Sequence, residues 1–118
     1  MPKRTHDHAQ DLLSLASACE TALVDAGQRL LGKVHDSERA IDLALVRDGR
    51  STVVRCVCKP RNSDQVAIKT MIAQGDFTRA FIVYTAEGQL HLSGQIESYP
   101  LSRINELAAA LAKEGCDL

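Results

Sequence analysis

Aromatic side chains are scarce. The 118 residues include two Tyr, two Phe and no Trp, 3% of the chain. A stacking platform for single-stranded nucleic acid, which needs exposed rings, is therefore excluded, and the core falls to Leu, Val, Ile and Ala. An excess of one charge is missing too: 14 Lys and Arg face 15 Asp and Glu, for a formal net charge of −1. A dedicated nucleic-acid binder usually carries a basic excess, so any such function must rest on a local face. No apolar run approaches the ~20 residues of a membrane span. No apolar h-region follows the polar N-terminus. The expectation is a cytoplasmic domain with no membrane partner. There is no Gly-rich phosphate loop and no GxSxG elbow. The four cysteines, Cys19, Cys56, Cys58 and Cys116, fit reduced thiols. Cys56-x-Cys58 lacks the second ligand pair that a zinc site needs. His6 and His8 make only the start of a metal motif.

What is present reads as one domain of ordinary globular composition, 45% apolar and 25% charged. A chain of this length buries roughly 65% of its unfolded surface and folds without metal or disulfide. Residues 1–8 read as a flexible tail and 9–118 as the domain. Leu12, Leu15, Ala16, Cys19, Ala22, Leu23 and Ala26 form a stripe of helical period, with Asp7 as N-cap and Gly27 as terminator. Gln28 to Val34 is either a first strand or the frayed helix end. Ile41–Val46 and Thr52–Lys59 alternate as strands around an Asp48-Gly49 turn. Ser63 caps a second helix that Gly75 ends. Arg79 to Thr85 is a continuous apolar run, as in a strand buried on both faces. Gln89 to Ser93 alternates as a further strand. Pro100 opens a last helix whose core stripe is Leu101, Ile104, Leu107, Ala108 and Leu111. The order α-β-β-β-α-β-β-α predicts an α/β fold: a hairpin joined to a parallel strand–helix–strand unit in one mixed sheet flanked by helices.

The hairpin carries the candidate chemistry. Alternation puts Ile41, Leu43, Leu45, Val54, Cys56 and Cys58 on one apolar face, and Asp42, Arg55 and Lys59 on the other. Two registers are open. A two-residue loop sets Asp42 opposite Arg55, an ordinary cross-strand ion pair. A four-residue loop sets Val57 opposite Asp42 and brings Lys59 one diagonal step away.

An aspartate in one strand, a turn, a valine-rich strand ending in lysine and then a helix resemble the PD-(D/E)xK, or restriction-endonuclease-like, superfamily. The Mrr-like branch is the nearest in pattern. The residues that carry the likeness are Ala26-Gly27, Ile41-Asp42, VVRCVCK (Val53–Lys59), the helix from Ser63 to Gly75, FIVYT (Phe81–Thr85) and the closing helix from Leu101 to Lys113. The resemblance implies a restriction-endonuclease-like mixed sheet flanked by helices. It also implies divalent-metal-dependent phosphodiester cleavage with Mg²⁺ or Mn²⁺, DNA as partner, Asp42 as a metal ligand and Lys59 as the group that positions the attacking water. Val57 stands in the slot of the second acid. If VVRC is matched to the family's VVQC instead, Arg55 takes the acid slot and Val57 the lysine slot. Glu20, on the first helix, or Asp64 or Gln65, on the second, could supply the missing ligand.

Arg47, Arg50, Arg55 and Arg61 cluster in mid-chain, the local basic face that phosphate contacts require. The reading is thus a nuclease-fold domain that acts on or binds nucleic acid, a degenerate member with lost or weak metal-dependent activity. The alternative is a non-enzymatic adaptor of the same fold, partnered by another protein or by a second copy through an edge strand such as Gln89–Ser93.

Overall fold

The structure, a computed structural model, describes residues 3–36, 40–47, 49–75, 77–85 and 97–115, with side chains placed within 12–35, 40–47, 49–75, 77–85 and 97–111. The elements are α1 (Lys3–Asp25), β1 (Arg29–Asp36), β2 (Ala40–Arg47), β3 (Arg50–Val57), α2 (Asn62–Ala73), β4 (Arg79–Tyr84), β5 (Glu97–Pro100), a 3-10 turn (Leu101–Arg103) and α3 (Ile104–Gly115). Five strands lie in one mixed sheet in chain order. β1, β2 and β3 form an antiparallel meander; β4 is parallel to β3 and β5 parallel to β4.

Local chemistry explains most boundaries. The apolar stripe of α1 seats Leu12, Leu15, Ala16, Cys19 and Leu23 on the sheet. The helix ends in a paired cap: Gln28 N–H donates to Leu23 O and Gly27 N–H to Val24 O, both at 3.0 Å. This requires Gly27 at φ +104°, a conformation that costs a residue with a Cβ. The segment that follows is strand and not frayed helix: β1 begins at Arg29, directly after the cap. Asp7 is not the N-cap; helical backbone already runs from Lys3, because no Pro or Gly from Lys3 to Asp7 breaks the helix. Ser63 is not a cap either. Arg61 holds the N-cap position with extended backbone, and the Asp64 carboxylate accepts its N–H at 2.8 Å. An acid at the third helical position reaches back to the cap. Gly75, at φ +82°, terminates α2 as expected.

The sheet buries both faces. On one, α1 and α3 cover Ile41, Leu43, Leu45, Val54, Cys56, Phe81 and Val83. On the other, Ile68 of α2 packs on Ala40, Val53, Val57, Ala80 and Ile82. β4 therefore has core on both sides, as its unbroken apolar run requires. β5 lies at Glu97–Pro100; the expected Gln89–Ser93 strand and Cys116 fall outside the described residues. Pro100 is the last residue of β5 and immediately precedes the turn into α3, whose Leu107, Ala108 and Leu111 are buried. Among the described residues no helix is long and apolar enough to cross a membrane.

A closed candidate site on the second sheet face

Register decides the site. β2 and β3 pair with Arg47 opposite Arg50, Asp42 opposite Arg55 and Ala40 opposite Val57. This is the register of a two-residue loop, and it removes the alternative in which Val57 faces Asp42. β3 ends at Val57. Lys59 lies four residues beyond the partner of Asp42, on the order of 13 Å along the strand direction, and is exposed. The register that would set Lys59 one diagonal step from Asp42 is therefore not the one formed.

Arg55 converges instead. Its Nη1 donates to Asp42 Oδ1 at 3.2 Å and Oδ2 at 3.1 Å, and its Nε donates to Asp64 Oδ1 at 2.9 Å. The side chains of Arg55, Asp42 and Asp64 are 5%, 5% and 0% exposed. The planar guanidinium spans two carboxylates that one ammonium could not reach with the same geometry. Asp64 places its second oxygen on the Arg61 N–H, so the acid that caps α2 also ties the helix to the sheet. Gln65, one residue on, is buried, and among the described residues its Nε2 has no hydrogen-bond partner.

The other expected residues are dispersed. Glu20 is not part of this group. It lies on α1, across the sheet, and its Oε1 meets Lys33 Nζ at 2.5 Å. Arg55 is no surface contact for phosphate; it is spent on the two carboxylates. Arg61 is exposed. Arg47 turns its Nη1 toward Ala26 O at 3.4 Å, at the end of α1, where a cation suits the helix dipole.

An implied divalent metal does not fit these donors. The two carboxylates that meet here share a guanidinium, and two residues along β3 the side chain is Val57, packed in the second core. Among the described residues no group of three His, Cys, Asp or Glu could hold a metal ion. The reading from sequence weighed Asp64 as a replacement metal ligand. Its role as the second partner of Arg55 was missed, although an acid at the start of the helix after β3 was the available signal.

A second grouping emerges at the opposite end of the hairpin. Arg29 begins β1 beside Val46, Arg47 ends β2 opposite Arg50, and Arg79 begins β4 beside Thr52. Four adjacent strands thus bring four arginines to one end of the sheet. Burial, and then the charge of Arg50, push the Arg79 guanidinium below its ordinary value. Comparison of the chain with protein-family models, curated proteins and solved structures finds no match.

Proposed function

We propose that this chain is a restriction-endonuclease-like domain that has exchanged cleavage for binding, with nucleic acid as the partner. The observation that carries the reading is Arg55 seated between Asp42 and Asp64. In the resemblance, Asp42 is the metal-bearing aspartate, and where VVRC is matched to the family's VVQC, Arg55 takes the slot of the second acid and Val57 that of the lysine. An arginine in the acid slot supplies a fixed positive charge where the reaction needs a divalent ion to polarise the phosphoryl group and activate water. The αβββαβ order, with β4 parallel to β3, agrees with that family's layout. Binding is supported by the arginines at this end of the sheet, Arg47, Arg50 and Arg79 on the face of α1 and Arg29 on the other, which suit phosphate contact more than base reading.

The test has two arms. Plasmid incubated with the purified protein and Mg²⁺ or Mn²⁺ stays supercoiled, and Lys59→Ala and Asp42→Asn variants behave identically. Duplex DNA binds with an affinity that falls with salt, and Arg50→Ala weakens it without changing the fold. Metal-dependent nicking that Asp42→Asn abolishes would overturn the loss of catalysis. Salt-independent or absent binding would overturn the nucleic-acid assignment. The adaptor reading draws support from β1. This edge strand holds Leu31 and Val34 each 60% exposed, beside a register irregularity between Leu30 and Gly32. Sedimentation that finds only monomer across a wide concentration range removes self-association through that edge.

A further inference from the structure

Three of the four arginines at the turn end of the sheet share one face. Arg47 of β2 and Arg50 of β3 are direct cross-strand partners. Arg79 of β4 partners Thr52, two residues along β3 from Arg50. Partners in a sheet share a face, and so do residues two apart along a strand. Arg47, Arg50, Thr52 and Arg79 therefore stand on the face of Leu45 and Val54, the one that α1 and α3 cover. Arg29 partners Val46 and belongs to the other face.

This arrangement is costly without an anion. Like charges set directly opposite one another destabilise a strand pair, and here a third cation follows one diagonal step away. All three side chains are half-buried. Burial, and then the charge of Arg50, lower the Arg79 pKa, the direction expected where cations crowd. Arg47 is anchored at the end of α1 by its Nη1, which donates to Ala26 O at 3.4 Å. A guanidinium carries five N–H donors, so the partners these arginines already have do not exhaust them. Thr52 is fully buried beside Arg79, and among the described residues its Oγ1 has no hydrogen-bond partner.

We infer that Arg47, Arg50 and Arg79 form a site for one phosphate monoester. Neighbouring strands lie about 4.8 Å apart, and three side chains as long as arginine's can close on one small anion across that span. A monoester carries about −1.5 to −2 charge at neutral pH and three strong acceptor oxygens. An internal diester of a nucleic-acid backbone carries a single charge and two free oxygens. Three guanidinium forks on one face match the monoester, whereas the remaining arginine, Arg29, is on the wrong side of the sheet to extend them into a track for a backbone. The Thr52 hydroxyl gains a partner in the filled site, the anion or a water that it holds. The inference deepens the binding reading, on which it rests for nucleic acid as the bearer: a strand end with a terminal phosphate. The site itself can be tested without nucleic acid.

The probe is inorganic phosphate, titrated into the folded protein at pH 7.5 and constant ionic strength, with the amide signals of Ser51, Thr52, Thr78 and Arg79 followed by NMR. The expected result is a saturable shift at these signals that dimethyl phosphate and chloride do not reproduce, and that weakens toward pH 5.5 as the dianion takes up a proton. Arg50→Ala weakens phosphate binding on the order of tenfold, the worth of one charge-assisted bond. Arg79→Gln does the same; if it does not fold, Arg50→Lys, which keeps the charge and loses the fork, shows a smaller loss. Lys69→Ala, on the exposed side of α2, leaves phosphate binding unchanged. An oligonucleotide with a terminal phosphate binds more tightly than the same strand ending in hydroxyl. The inference is overturned if phosphate gives no saturable shift, if dimethyl phosphate matches it, or if Arg50→Ala binds phosphate as well as wild type. Duplex binding that persists without phosphate saturation removes this site and leaves the nucleic-acid reading standing. Phosphate saturation without any nucleic-acid binding does the reverse.

Discussion

Arg55 is the residue on which the second face of the sheet turns. A buried ion pair is weak evidence for net stability, because desolvation offsets most of the attraction. Removing one partner is a different matter. Arg55→Met leaves the Asp42 and Asp64 carboxylates in a dry site without the cation they share. The expected loss is about 3–5 kcal/mol of unfolding free energy, read from urea denaturation at pH 7. Lys59→Ala, on an exposed side chain past the end of β3, should stay within about 0.5 kcal/mol of wild type. Equal losses for the two variants would sink the account. The sequence made half of this arrangement legible. Alternation placed Asp42 and Arg55 on one face, and the Asp-Gly turn offered the register in which they pair. It left open which register forms, since each loop length satisfies the same apolar alternation. It also could not reveal that α2 lies over this face, because Val53, Val57 and Ile68 read equally well as core or as half-exposed surface.

At the scale of elements, the breakers were the most legible features. Gly27 and Gly75 end their helices where the sequence placed the stops, and the continuous run of β4 was correctly read as buried on both faces. Helix starts were less legible. Ser63 is a common N-cap residue, yet Asp64, a residue later, reaches back to cap α2 while holding Arg55. A local rule was overridden by a tertiary contact. β3 also stops two residues short of Lys59, since strand ends depend on the neighbouring strand and not on β propensity alone. The α1–β1 corner permits a sharp test. Gly27 has positive φ, and a Cβ there would lie 3.3 Å from Arg47 Nη1. Gly27→Ala should destabilise the fold by about 1–2 kcal/mol, from the left-handed backbone alone. Gly32, whose added Cβ meets nothing within 4 Å and whose φ is not positive, is the control. Gly32→Ala should cost clearly less, and matching urea midpoints for the two variants would contradict the corner's role.

Considered whole, the molecule is a sheet clad by α1 and α3 on one side and by α2 on the other, with Cys56 in the larger core. That position couples one thiol to global stability. The ordinary value for Cys56 is 9.0, and in the fold its pKa is raised well above that, first by the hydrogen bond to Cys19 and then by burial. Tyr99 is raised from 10.0 in the same direction, by burial and by its bond to Glu97. A group whose folded pKa is raised keeps its full contribution below the unfolded value and loses it as pH climbs toward the folded one. Between those limits the unfolded chain has released the Cys56 proton while the folded chain still holds it. Stability should therefore fall above about pH 9, with Cys56 alone contributing a slope of roughly 1.4 kcal/mol per pH unit. Urea denaturation under reducing conditions from pH 7.5 to 10.5 would record this decline. Cys56→Ala lowers stability at neutral pH by removing a packed side chain, but it also removes one proton from the linkage, so its curve should run flatter than wild type above pH 9. Parallel curves for the two proteins would mean that the thiol ionises as readily inside the fold as outside it, and that the contact between α1 and β3 at this point is not closed to solvent.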